Sequence, residues 1–543
     1  MIAAMTVFLA TTPMQQLSDK YLQELWKVSP MTASQVGYHK DGVDLRLDDL
    51  SAEARTRRAA WLARFSDELW KQDKLAEEDH ADQALLGHAI ALERLELEGA
   101  HDYTRRCDRP LDDLGSVFFA MVARDYAPIE QRAADVLGRL GGVPRYLEQA
   151  RAGLTTDVDV FRAAAKDDGE GLVEYLEHEL APAFVKTTRA AQVKSAALEA
   201  AEAVRAYLRW VERELPKKPK ASFRYGSELY AKRFGPYLQI KQSPAEVLAQ
   251  AEQRSTELHA LMKTLAKKLV PSGDVREALG RIADDHCKPD ELFTTVRKQL
   301  DEARAFIADQ QLLTLKKRDN LTVIETPAFL RSQLGVAAFD GAPPLQPQLG
   351  AFYYVTPFPK NWPKDKIDAK LREYNRNMLA LLTIHEAMPG HYVQFEHAND
   401  VQPETRRVLR WVLGSGAYIE GWAVYTQDLM VDAGFYGHDP KLQLQQYKLE
   451  LRAVTNAILD IKLQTTELSD EDALALMMDG AFQERPEAEL KLRRAKLSVT
   501  QLCSYFVGGE GWRKKRRAAE KLPGFNLRAF HDRELAKGAV PLE

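Results

Sequence analysis

Apolar residues recur at spacings of three and four along most of the chain, and charged residues fill the positions between them. This periodicity is typical of amphipathic α-helices that bury one face. We therefore predict a mainly α-helical fold, and because no repeat or linker interrupts the pattern we expect one helical domain over residues 16–543. Helices resume from residue 404, and the clearest segments before it are 16–28, 51–73, 79–100, 128–152, 172–214, 243–269, 289–311 and 363–388.

Two helix starts carry side-chain signals in addition to the periodicity. Ser243 precedes a proline at the first helical position, and Glu246 completes a capping box. Ser469 and Asp472 form a similar start before an apolar run. We expect helices to begin directly after both serines.

The helical pattern stops between residues 312 and 362. Residues 321–325 and 352–356 are rich in β-branched and aromatic side chains, and glycine and proline occupy the connections around them. We predict a small β-sheet, at about residues 320–357, inserted before the helix that ends near residue 388. The edge of such a sheet could bind an extended peptide by strand addition.

The composition is that of a globular protein with a large core, since 45% of the residues are apolar and 28% are charged. The net charge is only −4 and both signs are mixed along the chain, which argues against a nucleic-acid partner. The oligomeric state is left open. The cysteines are odd in number and far apart, so we expect neither a disulfide framework nor a cysteine-based zinc site: Cys107, Cys287 and Cys503.

Residues 1–13 are apolar, rich in small side chains and uncharged. They resemble the hydrophobic part of a signal peptide without its basic start. Residues 1–15 are therefore either a signal-like segment or a disordered apolar tail. The first alternative implies an exported, periplasmic protein and the second a cytoplasmic one. No later stretch of the sequence is long and apolar enough for a membrane span.

Residues 385–391 read His-Glu-Ala-Met-Pro-Gly-His and close an apolar helical segment. Imidazole and carboxylate groups are common zinc ligands, and a catalytic zinc site needs a carboxylate base beside it. The spacing is unusual, because zinc-peptidase helices carry their histidines four residues apart. His385 and His391 are six residues apart, which separates them by about 240° around a regular helix.

A local break at Pro389 and Gly390 would resolve this conflict. Proline cannot donate the backbone hydrogen bond of a helix, and a bulge or wide turn often absorbs extra residues at functional sites. With that pair looped out, His385 and His391 regain the four-residue spacing. We therefore hypothesise a zinc-peptidase helix with a two-residue insertion, in which the histidines bind the metal and Glu386 is the general base.

A hydrolytic zinc site needs a third protein ligand. Glu420 is the best candidate, because it lies in an apolar segment and a carboxylate is costly to bury unless it is paired or bound to metal. Gln427, seven residues later on the same face, is placed to form a hydrogen bond with the second ring nitrogen or the carboxylate oxygen of a metal ligand. His397 competes as a ligand, although its helical position favours a supporting or surface role. The alternative is a chance match in which Glu420 pairs with an arginine.

Three motifs together resemble the bacterial DUF885 family: His385–His391, Glu420–Tyr425 and Leu497–Gly508. Weaker similarities near the N-terminus, at Gly142–Leu147 and at Tyr353–Val355 extend the resemblance to nearly the whole chain. That family is similar to helical zinc peptidases of the gluzincin type, such as the oligopeptidases and the angiotensin-converting-enzyme-like enzymes. The resemblance implies a large multi-helix shell around a deep cleft, with zinc at its floor.

The resemblance also implies roles for individual residues. It supports the three zinc ligands and the base named above. Tyr505 would donate a hydrogen bond to the oxyanion, with a core tyrosine as an equal alternative, and Arg494 and Tyr353 would bind substrate.

Two positions depart from the family pattern. Gln427 often is a glutamate in relatives, and Gln464 stands where we expect a histidine that assists the transition state. A glutamine can donate a hydrogen bond but carries no positive charge. Activity or substrate range would change accordingly.

The leading hypothesis is a zinc-dependent peptidase that cleaves short peptides with metal-activated water and a glutamate base. A second hypothesis is a hydrolase of other amides or esters with the same site. A third is a catalytically silent protein that keeps the cleft for binding. Histidine and carboxylate ligands also accept other divalent ions, so manganese and cobalt stay open beside zinc.

Overall fold

The structure is a computed structural model that describes residues 12–327, 330–331, 336–359 and 362–543. Residues 1–11, which carry most of the predicted signal-like segment, lie outside this part. The described chain is mainly α-helical and contains a small β-sheet, which confirms the predicted fold class.

From residue 12 to residue 310 the chain folds into helices joined by short turns. The predicted helix 128–152 is divided at Gly142, two residues before Pro144. The predicted capping box is confirmed, because Ser243 and Glu246 each accept a hydrogen bond from the other's backbone N–H. The helices are α1 (Pro13–Val28), α2 (Pro30–Gln35), α3 (Ala52–Trp70), α4 (Asp79–Leu95), α5 (Arg109–Ala123), α6 (Ile129–Gly141), α7 (Val143–Gly153), α8 (Asp159–Tyr175), α9 (Ala181–Ala183), α10 (Ala190–Arg213), α11 (Gly226–Leu238), α12 (Pro244–Leu269), α13 (Val275–Ala283) and α14 (Leu292–Gln310).

Helices resume after the sheet. The segment predicted as one helix over 363–388 is two helices, because the Asn375 side chain accepts a hydrogen bond from the Met378 N–H and caps a second one. The predicted cap at Ser469 is confirmed. Among the described residues, no helix combines the length and apolar content needed to cross a bilayer. The helices are α15 (Lys364–Glu373), α16 (Arg376–Glu386), α17 (His391–Ala398), α18 (Glu404–Val412), α19 (Gly416–Asp432), α20 (Pro440–Thr465), α21 (Asp470–Met478), α22 (Arg485–Leu497), α23 (Cys503–Ala519) and α24 (Leu527–Leu535).

The sheet has three strands in the order β1 (Leu321–Glu325), β3 (Ala351–Val355) and β2 (Ala337–Asp340). β3 pairs parallel with β1 and antiparallel with β2. All five β3 residues are buried, as expected for a central strand with both faces covered. The two predicted strands are therefore confirmed. β2 is an additional strand that was not predicted from its four residues.

One apolar core joins β3 to helices α14, α16, α17 and α19. Tyr353, Ile384 and Trp422 are fully buried in it. Further apolar clusters lie among α5 to α10, among α11 to α13 with α20, among α1 to α4 with α18, and among α20 to α22. The helix that carries His385 is thus fixed by packing against the sheet and against α19.

Helices α19 and α23 touch backbone to backbone at two glycines. A Cβ atom on Gly421 would lie 2.2 Å from the carbonyl carbon of Gly508, and one on Gly508 would lie 1.9 Å from the Ala417 oxygen. Only residues without a side chain allow this approach. The crossing brings Glu420, next to one glycine, towards Tyr505, one turn before the other.

Candidate metal centre

A wide turn separates the two histidines of the motif. Helix α16 ends at Glu386 and helix α17 begins at His391. Between them the Gly390 N–H donates to the Ile384 carbonyl oxygen at 2.9 Å, a hydrogen bond that spans six residues instead of four. A Cβ atom on Gly390 would lie 1.8 Å from the His385 oxygen, so this turn requires glycine. The break expected at the Pro-Gly pair is present.

The turn brings the imidazole rings of His385 and His391 together. Their centroids are 4.8 Å apart and their planes are nearly perpendicular, at 85°. The Oε2 atom of Glu420 lies 3.6 Å from His385 Nε2 and 3.4 Å from His391 Nε2. Ligand atoms from all three residues lie within 4.8 Å of one another.

This arrangement fits a small divalent cation. Donor atoms about 2.0–2.1 Å from a tetrahedral zinc ion lie about 3.3–3.4 Å from one another. The distances from Glu420 to the two imidazoles are close to that spacing. Within the described residues, Glu420 Oε2 is buried and makes no hydrogen bond, although an unsatisfied buried carboxylate oxygen is costly. A cation between the three groups would satisfy it.

The charge state of Glu420 is favourable for binding a cation. Burial by itself would raise its pKa, but the neighbouring His385 and His391 outweigh this effect and hold the pKa well below the ordinary value. The carboxylate is therefore ionised at neutral pH, as a metal ligand must be.

Glu386 is buried next to the first histidine and lines a cavity of about 190 Å³. Burial raises its pKa to about 7, with the Glu420 charge adding to the effect and His385 opposing it. A carboxyl group with a pKa near neutrality can both accept and return a proton, which suits a general base.

Tyr505 faces the same cavity, and its ring stacks on His385 with centroids 6.3 Å apart. Its hydroxyl accepts hydrogen bonds from Arg494 Nη2 at 3.0 Å and from Gln501 Nε2 at 3.4 Å. Burial raises the pKa of Tyr505 to about 12, against the opposing effect of Arg494. The hydroxyl therefore keeps its proton at neutral pH and can donate it in a hydrogen bond.

Arg494 also lines the cavity, but its guanidinium is already bound to protein groups. Besides Tyr505, it donates to Gln501 Oε1 at 3.0 Å. Its prediction as a substrate-binding residue stays untested, and its observed contacts hold Tyr505 in place.

Three predicted positions form their hydrogen bonds with groups other than the three candidate ligands. Gln427 lines the cavity, but its Nε2 donates to the Leu381 carbonyl at 3.1 Å, so it does not hold a ligand as expected. Tyr353 is buried and its hydroxyl bonds to Thr383 on α16 at 3.2 Å, away from the residues that line the cavity. His397 bonds to the Thr314 carbonyl at 2.8 Å and does not join the other two histidines.

The structure does not bring Gln464 to the site. Its Oε1 accepts from the Tyr225 N–H at 3.0 Å and its Nε2 donates to the Ser498 carbonyl at 3.3 Å. The polar residues that α20 contributes to the cavity are Arg452 and Asn456. Asn456 lies two turns before Gln464, and its Oδ1 is buried without a hydrogen bond in the described chain. A polar residue inside the apolar run of α20 was the sequence signal for it.

Lys491 is a further cavity residue that was not predicted from the sequence. It lies one turn before Arg494 on α22, so the spacing of three between two cations was its signal. The other cations of this segment are engaged elsewhere: Arg493 pairs with Asp167 and Lys496 with Asp470, each at 2.6 Å.

Solved structures share this architecture. A candidate lipoprotein of unknown function from Shewanella oneidensis matches with a TM-score of 0.80 and 27% identity, over 98% of this chain and 98% of that chain. A candidate lipoprotein from Colwellia psychrerythraea matches with a TM-score of 0.80 and 18% identity, over the same shares of both chains. No curated protein matches this chain. The family described as "Bacterial protein of unknown function (DUF885)" matches residues 30–543, and the chain belongs to this family.

Proposed function

We propose that this protein is a zinc-dependent peptidase that hydrolyses short peptides. The observation that carries the proposal is the convergence of His385, His391 and Glu420 within 4.8 Å, with buried Glu386 beside them. Three such ligands leave one coordination position open, which is the arrangement of catalytic zinc sites. The resemblance of the motifs to gluzincin-type peptidases favours the same reaction.

The residues around the proposed zinc site have separate roles in the reaction. When bound, zinc would polarise the scissile carbonyl and lower the pKa of water to near neutrality. Glu386 takes the proton of the attacking water and returns it to the departing amine. Tyr505 donates its hydroxyl hydrogen to the oxyanion that develops on the carbonyl, and Arg494 keeps that hydroxyl in position.

The size of the cavity supports short peptides as substrates. Its volume of about 190 Å³ is below the roughly 300–1,000 Å³ of pockets that enclose drug-sized ligands. Glu386 lines this cavity with residues of α16, α19, α20 and α22. Such a space suits a residue or two beside the scissile bond better than a folded protein chain.

Replacement of Glu386 tests the assigned base. Glu386→Gln keeps the side-chain size and the zinc ligands but removes the proton acceptor, so turnover of a mixed peptide pool should fall by at least about 100-fold. Zinc content, measured by elemental analysis, should stay at one ion per chain. Glu489→Gln, an exposed change on α22, is the matched control. Equal turnover in the Glu386 variant and wild type would contradict the assignment.

Metal analysis separates the peptidase from a silent binding protein. Wild-type protein purified without chelators should contain zinc and lose activity on chelation. Less than a tenth of an equivalent of zinc, with no peptide cleavage after zinc is added, would favour the binding protein.

We also propose an exported or envelope location for the protein. The support is the lipoprotein description of the Shewanella oneidensis structure, which is 27% identical over 98% of this chain. Fractionation of cells that express the full chain tests it, and recovery in the cytoplasmic fraction alone would contradict it.

A further inference from the structure

Three cationic side chains line the cavity beside Glu386: Arg452, Lys491 and Arg494. Two of them already have protein partners. Arg494 donates to Tyr505 and Gln501, each at 3.0 Å, and Arg452 reaches Glu373 at 3.4 Å and Glu487 at 3.2 Å. The charge of Arg452 is therefore neutralised by the two glutamates, and Arg494 holds Tyr505 and Gln501 in position.

Lys491 differs from the two arginines. Within the described residues its ammonium forms no hydrogen bond or ion pair. The nearest acid along its helix, Glu487, is engaged by Lys370 at 3.0 Å and by Arg452 at 3.2 Å. A half-buried ammonium without a partner is unfavourable, and such a group in a cavity is a common mark of a ligand site.

The surroundings of Lys491 favour an anion over other ligands. Burial, together with repulsion from Arg494 and Arg452, lowers the pKa of Lys491 to about 7. An anion in the cavity would relieve that repulsion and favour the charged ammonium. Asn456 Oδ1, buried in the same cavity without a hydrogen bond in the described chain, is an acceptor suited to a peptide N–H group.

On the proposed peptidase function, we infer that Lys491 binds the C-terminal carboxylate of the substrate and that the protein cleaves close to peptide C-termini. A peptide always carries an anion at its C-terminus, close to the last peptide bonds. Glu386 and Lys491 line the same cavity of about 190 Å³, so a carboxylate held by Lys491 brings the last peptide bonds of the substrate near the proposed base. A substrate N-terminus is positive and would find no partner in the Lys491 ammonium.

Matched peptides test this inference directly. A peptide with a free C-terminus should be cleaved near that end, and its C-terminal amide should be cleaved with a kcat/KM lower by about 10- to 100-fold, the range for one hydrogen bond to a charged group. Acetylation of the N-terminus should have little effect. An amidated peptide with a glutamate near its end shows whether a side-chain carboxylate can substitute.

Variants of Lys491 assign the preference to this residue. Lys491→Met should remove the difference between the free and amidated peptides mainly through KM, and Lys491→Arg should restore part of it. Lys496→Met removes the same charge from the same helix, where it pairs with Asp470, and should keep the wild-type preference.

A binding measurement separates failure of this inference from failure of the peptidase proposal. Calorimetry with the Glu386→Gln variant should give about 10- to 100-fold tighter binding of the free than of the amidated peptide, again the value of one hydrogen bond to a charged group. The Lys491→Met change should abolish that difference. Absence of cleavage with this binding preference intact would refute the peptidase and keep the carboxylate site. Equal binding or equal cleavage of both peptides, or rescue by the glutamate side chain, would overturn the inference.

Discussion

The hydroxyl of Tyr505 accepts one hydrogen bond from Arg494 at 3.0 Å and another from Gln501 at 3.4 Å. A phenol has one hydrogen to donate, and both of its acceptor positions are occupied by these contacts. The hydrogen therefore points away from Arg494 and Gln501. Because the ring stacks on His385, the hydroxyl lies beside the candidate metal centre with its donor available.

We predict that Tyr505→Phe lowers kcat by about 10²–10³, the usual loss for one oxyanion donor. KM and zinc content should change little, because the aromatic ring remains against His385 and none of the three ligands is altered. Steady-state kinetics on a short peptide, with elemental analysis of zinc, measures both quantities. A rise in KM at constant kcat would instead make Tyr505 a substrate-binding residue.

Which residues reach the cavity could be predicted only in part. The motif spacing with its Pro-Gly pair identified His385 and His391, and a lone carboxylate in an apolar segment identified Glu420. On α20 the family resemblance pointed to Gln464, whereas Asn456 lines the cavity. The two lie two turns apart, and the level at which α20 crosses α16 decides which one faces the site. That level depends on tertiary packing, which periodicity does not contain.

At the scale of elements, helix ends could be predicted where proline and glycine interrupt the helical hydrogen bonds. Proline and glycine at 389–390 gave the turn between α16 and α17. The break at Asn375 was missed, because asparagine ends a helix only when its side chain caps the next one. Strand β2 was missed as well, since four residues paired to a central strand carry too little pattern of their own.

The crossing of α19 and α23 yields a prediction at this scale. In Gly508→Ala the new methyl group would lie 1.9 Å from the Ala417 oxygen, so the two helices must move apart. We expect a loss of about 3 kcal/mol or more in unfolding free energy, at the upper end for overpacked cores. Weaker zinc binding should follow, because Glu420 and Tyr505 sit on the two helices that separate.

Gly280→Ala is the control for this change, because its methyl group would enter open space on helix α13. It should stabilise the protein by up to about 1 kcal/mol through helix propensity alone. Urea unfolding and zinc titration compare the two variants. Wild-type values for both measurements in Gly508→Ala would show that the close crossing is dispensable.

At the scale of the whole molecule, buried ion pairs join segments that are far apart in sequence. Asp82 on α4 accepts from Arg406 Nε and from Arg410 Nε on α18, each at 2.7 Å, across more than 320 residues. Glu487 on α22 likewise pairs with Lys370 on α15 and Arg452 on α20. The mainly α fold class was readable from periodicity, but such partners were not, because charge patterns along a chain do not specify which helices meet.

The ion pairs of Glu487 make the stability of the fold depend on pH. Burial by itself would raise the pKa of this carboxyl, but Lys370 and Arg452 outweigh it and lower the pKa from 4.5 to about 2. Because the folded state depresses the pKa, this stabilisation is complete above pH 4.5 and is lost as the pH falls towards 2.

Glu487→Gln should therefore reduce the unfolding free energy at pH 7 by on the order of 3 kcal/mol. The difference from wild type should shrink steadily as the pH falls from 4.5 to about 2, the interval bounded by the two pKa values. Urea unfolding at several pH values measures it, with Glu489→Gln, an exposed carboxyl two residues after Glu487 on the same helix, as the control that should show no such trend. A difference between Glu487→Gln and wild type that stayed constant with pH would mean that the side chain acts through packing and that its charge adds nothing to the fold.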